Sequence, residues 1–175
     1  MDFYKKGMLP LKVSFFMLTV LLIISGSFFS FLTIKLADEK MRADLLLQAE
    51  IVSRTINISD IKALDGNLQD VTLLEYRRLK NQLTDICSVI PNCRFAYILG
   101  KNENGKEYNV VDSEKISSQF YDPPGHEYDE PQEIDERVFK TGIAQTDGPI
   151  SDSAGTYITA LVPIKDPDSN DILVL

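Results

Sequence analysis

The sequence is short of the residues that most enzymes use. It has one histidine, His126, and two cysteines, Cys87 and Cys93, among 175 residues. It contains no GxSxG and no HExxH pattern, and a lone histidine offers little for general-base chemistry, so an extracytoplasmic hydrolase is poorly supported. Two thiols and one imidazole also fall short of a zinc site. No catalytic residue, metal or cofactor is expected. Internal repeats and low-complexity tracts are absent as well. Basic residues are scarce beyond the N-terminus: setting aside Lys5, Lys6, Lys12, Lys35 and Asp2 leaves 14 basic and 25 acidic residues, a net of −11. Such a surface repels phosphate backbones and argues against a nucleic-acid partner.

Charge is also missing from Val13 to Ile34, and there the absence is informative. These 22 residues lie between Lys12 and Lys35. As a helix they span about 33 Å, enough to cross a hydrocarbon core of about 30 Å. Lys5, Lys6 and Lys12 precede the span, which argues for a cytoplasmic N-terminus over residues 1–12. Ser25-Gly26-Ser27 has the small residues of a signal-peptide cleavage site, but the apolar run continues to Ile34, so an uncleaved anchor over 13–34 is expected. Residues 35–175 then form one domain outside the cell membrane, periplasmic or extracellular, with the bilayer as a first partner.

The anchor continues without a break into Leu36 to Ile56. There Ala37, Met41, Leu45, Ala49, Val52 and Ile56 form one helical stripe, widened by Leu46, Leu47 and Ile51. The stripe can pack on its own domain and on a second copy of the helix, so a homodimer through this helix is expected. Asn57 or Ser59 can cap a short turn over Asp60 to Leu64, which Gly66 ends. Thr72-Leu73-Leu74-Glu75 fits a capping box for a second helix that runs to about Val89 and stops at Pro91. Leu73, Tyr76, Leu79, Leu83, Ile86 and Ile90 make its inner stripe; Arg77, Arg78, Lys80 and Asp85 are expected to face water. Cys87 and Cys93 stand between that helix and the next strand, where a disulfide is permitted outside the cytoplasm; two buried free thiols are the alternative.

Period-two alternation then takes over. Arg94 to Leu99 and Glu107 to Asp112 read as a hairpin around Asn104-Gly105. Ser113 to Pro131 is a long aromatic loop, of a length that in a small domain is usually functional. A short helix over Glu130 to Thr141 ends at Gly142. Ile143 to Thr146, a turn at Asp147-Gly148-Pro149, a second turn at Asp152 to Gly155, a strand Thr156 to Ile164, a turn at Asp166 to Asn170 and a final strand from Ile172 complete the pattern. The expected fold class is α+β: an antiparallel sheet of five strands with leading helices on one face and the loop and short helix roofing the other.

The ordered series Tyr76-Arg77-Arg78-Leu79-Lys80-x-x-Leu83, Cys93-Arg94-Phe95-x-Tyr97, Val111-Asp112-Ser113-Glu114, Pro123-Pro124-Gly125-x-x-Tyr128 and Gly148-Pro149-x-x-Asp152-x-x-Gly155-Thr156-Tyr157, then Pro163-Ile164, resembles the extracytoplasmic PAS-like (PDC, or Cache-type) sensor domains of membrane histidine kinases and diguanylate cyclases. It covers nearly everything after residue 60; Tyr157 stands where the family often has tryptophan. The resemblance implies a ligand-sensing input region of a histidine-kinase-type receptor, with a small molecule as partner. A diguanylate cyclase or chemoreceptor input, or a protein-docking module without such a ligand, is the alternative. The chain stops at Leu175, inside the last expected strand, so it is expected to represent the input half only.

Tyr97, Asp112, Ser113, Tyr121, Tyr128, Asp152 and Tyr157 are the groups expected to converge beneath the roof, with Arg94 a further candidate for an anionic ligand. Each has a plainer alternative: the tyrosines as core, the aspartates as turn-formers, Arg94 as an ion pair. The acids Glu127, Asp129, Glu130, Glu133, Asp135 and Glu136 lack the spacing of a calcium loop and are expected to form a solvated face. His126 is expected to be exposed.

Overall fold

The uncharged run and the stripe behind it form one helix, α1 (Leu11–Thr55), in the computed structural model of the chain, which describes residues 11–129, 132–166 and 172–174. The chain divides into two compact units, Met1–Met41 and Arg42–Leu175. In the first, the apolar side chains from Val13 to Ile34 are almost all exposed, and α1 is long and apolar enough to cross a membrane. Lys5, Lys6, Glu130, Pro131, Asn170 and Leu175 lie outside the described residues.

In the second unit the stripe of α1 turns inward from Leu45, and Ile56 is buried. A short helix α2 (Ile58–Lys62) follows, and Asn57 caps it by accepting from the Ser59 amide at 3.1 Å. The capping box lies elsewhere than expected. Asn67 and Asp70 form it on a 3-10 turn (Leu68–Thr72), and α3 (Leu74–Val89) starts at Leu73 without a side-chain cap. The Asp70 carboxylate is spent on the amides of Asp65, Gly66 and Asn67, at 2.8–3.1 Å. Cys87 and Cys93 are joined in a disulfide that clips the end of α3 to the strand lead-in.

The strands are β1 (Tyr97–Lys101), β2 (Glu107–Asp112), β3 (Gln145–Asp152), β4 (Gly155–Leu161), β5 (Pro163–Lys165) and β6 (Ile172–Val174), with helix α4 (Glu133–Thr141) between β2 and β3. They form not one five-stranded sheet but two antiparallel ones: a four-stranded sheet ordered β2-β1-β6-β5, and the β3-β4 pair. The strand expected over Thr156 to Ile164 is cut at Val162. The next residue is proline, which has no N–H to give to a ladder, so pairing ends on one side of it and resumes with a new partner on the other. The turn expected at Asp147-Gly148-Pro149 is instead a bulge within β3, where the register shifts between Asp147 and Ile150. The β1-β2 connection also differs from a two-residue turn: Gly105 alone takes positive φ, and Asn102 Oδ1 accepts from the amides of Asn104 and Lys106.

Two apolar cores flank β1. On one side Ile56, Ile61, Tyr76, Leu79 and Leu83 pack on Ile98, Val110, Val111 and Ile164; on the other Ile134 and Val138 of α4 pack on Leu99 and Leu161. Helices therefore lie on both faces, with α4 as the roof that the sequence suggests. Gly142 closes α4 in the left-handed conformation.

Candidate functional site

The apolar stripe of α1 does not close fully on the sheet. Leu45, Ala49 and Val52 of α1, Ile86 and Ile90 of α3, the disulfide-held lead-in Cys93 to Tyr97, and Ile150 and Tyr157 to Ala160 of β3 and β4 surround a cleft of ≈ 210 Å³. The cleft exists because the ribbon β4-β5 leaves the main sheet at Val162, which carries the β3-β4 pair to the side of α1. Arg42 Nη2 donates to the Gly148 carbonyl there at 2.9 Å.

Three of the eight expected site residues line this cleft. Tyr97 stands against Thr159 in a hydrogen bond; burial, then the charge of Asp135, raises its phenol above the ordinary range. Tyr157 donates to Asp152 Oδ2 at 2.5 Å, and burial followed by that bond pushes its phenol up to about 12. Arg94 lies over the rings of Phe95 and Phe120 at 4.1 and 4.9 Å and donates to Glu114 Oε1 at 2.7 Å. Burial pulls Glu114 upward, but the bonds from Ser118 and Arg94 hold it below the usual carboxylate range. Arg94 is thus an ion pair and not an open anion receptor. Asp152 is exposed and serves the turn, accepting from the Ala154 amide at 2.6 Å.

The remaining candidates meet elsewhere, beneath the loop that follows β2. Lys80, expected at the surface, is largely covered and donates to Asp112 Oδ1 at 2.5 Å and to the Asp112 carbonyl at 3.1 Å. Burial raises the Asp112 carboxyl, against the opposing pull of the Asp122 amide at 2.8 Å and of Lys80. The Tyr121 ring sits 4.6 Å from the Lys80 ammonium, and its hydroxyl is 3.2 Å from that of Tyr76. Tyr128 donates to Asp122, which also holds the half-exposed His126 at 2.6 Å. Ser113 Oγ accepts from the Ala96 amide at 3.0 Å, and its carbonyl accepts from Thr84. Asp112, Ser113, Tyr121 and Tyr128 thus bond to one another's neighbours and fasten the loop to α3 and β2.

Sequence reasoning gave the α1 stripe to core and dimer packing and to a rod that can pass movement inward, and did not place a cleft beside it, although its small residue Ala49 was a sign of open space there. It also placed Asp135 on a solvated face, whereas the structure buries that residue on the inner side of α4. Comparison with protein-family models, with curated proteins and with solved structures gave no match.

Proposed function

We propose that the chain is the ligand-sensing input region of a membrane-bound signal-transduction receptor of the histidine-kinase type, and that the cleft beside α1 receives a small molecule. The observation that carries this reading is the identity of one wall: Leu45, Ala49 and Val52 belong to the same helix as the apolar span. A ligand that prefers one spacing of α1 from the β3-β4 pair shifts the helix, and the helix relays the shift inward. Strand order supports a PAS-like ancestry. Taking β4 and β5 as one interrupted strand, the sequence of neighbours is hairpin, last strand, interrupted strand, β3, as in the Cache-type sensors that the sequence resembles. Arg94, the single charged side chain lining the cleft among the described residues, is already neutralised by Glu114, so the cleft suits an uncharged, largely apolar molecule. In the same reading two copies pair along α1, where Leu47 and Ile51 are exposed.

The test is a thermal-shift screen on the full chain in detergent. A ligand at a hundred times its Kd stabilises the folded state by about 2.7 kcal/mol. One class of neutral metabolite should raise the midpoint, and Ala49→Leu, which fills the cleft, should abolish the rise. A shift that survives Ala49→Leu, or no shift with any class, would overturn the reading.

A further inference from the structure

On the opposite face of the sheet, one acid of β2 and one acid of the roof helix are buried where a single lysine acts on both. Glu107 opens β2 and is 1% exposed; Asp135 lies in the first turn of α4 and is 8% exposed. Lys101 of β1 reaches Glu107 Oε1 at 3.5 Å and lies 4.7 Å from the Phe139 ring of α4. Neither carboxylate oxygen of Glu107 has a hydrogen-bond partner among the described residues. The other groups facing this place do not correct the imbalance. Among the described residues, Asp147 of β3 and Glu136 of α4 add negative charge, Tyr97 of β1 is neutral, and Leu173 of β6, the strand that packs on α4, is apolar. Lys101, Glu107 and Asp135 together carry a net charge of −1, in a place where an unpaired charge is costly.

We propose that Glu107 and Asp135 form a proton-binding site, and that uptake of one proton by the pair fastens α4 to the sheet. The proton takes the trio from −1 to 0. The repulsion between the acid on β2 and the acid on α4 is then removed. The roof of the domain thereby responds to the acidity of the surrounding medium, independently of what occupies the cleft beside α1.

The electrostatics agree with the geometry. Burial, then the Glu107 charge, push the Asp135 carboxyl up to about 6, and burial raises Glu107 as well. A carboxyl raised in the folded state stabilises that state fully below its unfolded value. That stabilisation is lost as pH climbs through the folded value, so the window runs from the ordinary 3.8 to about 6.

Hydrogen exchange of the full chain in detergent, corrected for intrinsic rates, reads the docking of α4 directly. Protection of the α4 amides should be flat above pH 7 and rise by up to about tenfold per pH unit below 6, the slope for one linked proton. Asp135→Asn should remove the pH dependence while protecting α4 at pH 7.5. Glu107→Gln should move the transition to lower pH. Carboxyl 13C shifts of the unaltered protein check the same point without any variant. An Asp135 midpoint in the ordinary aspartate range, or an α4 profile unchanged in Asp135→Asn, would overturn the proposal.

Discussion

Replacing Lys80 by methionine keeps the length and apolar stem of the side chain and removes only the ammonium. In the native protein that ammonium bonds Asp112 twice, and the two side chains are 11% and 8% exposed. Removing one partner of a buried pair costs about 3–5 kcal/mol, because the other charge is left without compensation. Asp112 keeps the Asp122 amide at 2.8 Å, which places Lys80→Met at the lower end, about 3 kcal/mol. With roughly 2.1 cal/mol/K of unfolding entropy per residue, a domain of this size loses about 10 °C in its midpoint. Circular dichroism melts in detergent measure it. Two controls follow from the chemistry. Lys80→Met combined with Asp112→Asn should recover much of the loss, because no charge is then stranded. The loss should also shrink in acid: the Asp112 carboxyl is raised in the folded protein, so its ionised form is penalised above that value and the penalty fades as pH falls towards 3.8. A loss below about 1 kcal/mol, or one equal at pH 4.5 and 7.5, would refute a buried, charge-compensating role for Lys80.

Two further outcomes follow from the joints of the loop and of α3. Cys87→Ser with Cys93→Ser opens a loop with a sequence separation of 6 and should cost about 2 kcal/mol on the chain-entropy model, read as a lower urea midpoint with an unchanged slope. Gly125→Ala places a methyl 2.5 Å from the Gly66 carbonyl oxygen at a φ of +80°, so it should destabilise by about 2 kcal/mol or more and raise proteolysis within the loop after β2.

The sequence makes some of this legible and hides the rest for identifiable reasons. The α3 stripe and the Gly142 stop signal are local, and the structure keeps both: Tyr76, Leu79 and Leu83 are fully buried and Gly142 ends α4. Lys80 and Asp135 defeat a local reading. Each lies beside apolar neighbours on a helix whose far side is polar, and each is charged, so periodicity assigns it to water. What covers them is the packing of α3 on β2 and of α4 on β3 and β6, strands that only the tertiary fold brings near. The divided sheet is hidden in the same way. No glycine, proline or charge interrupts the run from Thr156 through Val162, and only the missing amide of Pro163 reveals that two different partners take the two halves. Of the candidate site, the tyrosines at 97 and 157 fall in the cleft, while the loop aromatics are consumed in holding the loop itself.

The one-residue interruption at Val162 has a mechanical consequence. The β3-β4 pair has no ladder bonds to the four-stranded sheet, and it meets that sheet through the chain at Val162 on one side. It is also moored by the Arg42 bond to Gly148, the bond between Tyr97 and Thr159, the edge-on contact of Phe95 with Tyr157, and the packing of Leu161 on Leu99 and of α4 on β3. A displacement of the pair about that joint is therefore resisted by side-chain contacts and not by a backbone ladder. A guest entering beside Ala49 would press the pair away from α1 against side-chain contacts, the Arg42 and Tyr97 bonds among them, without breaking a row of backbone hydrogen bonds.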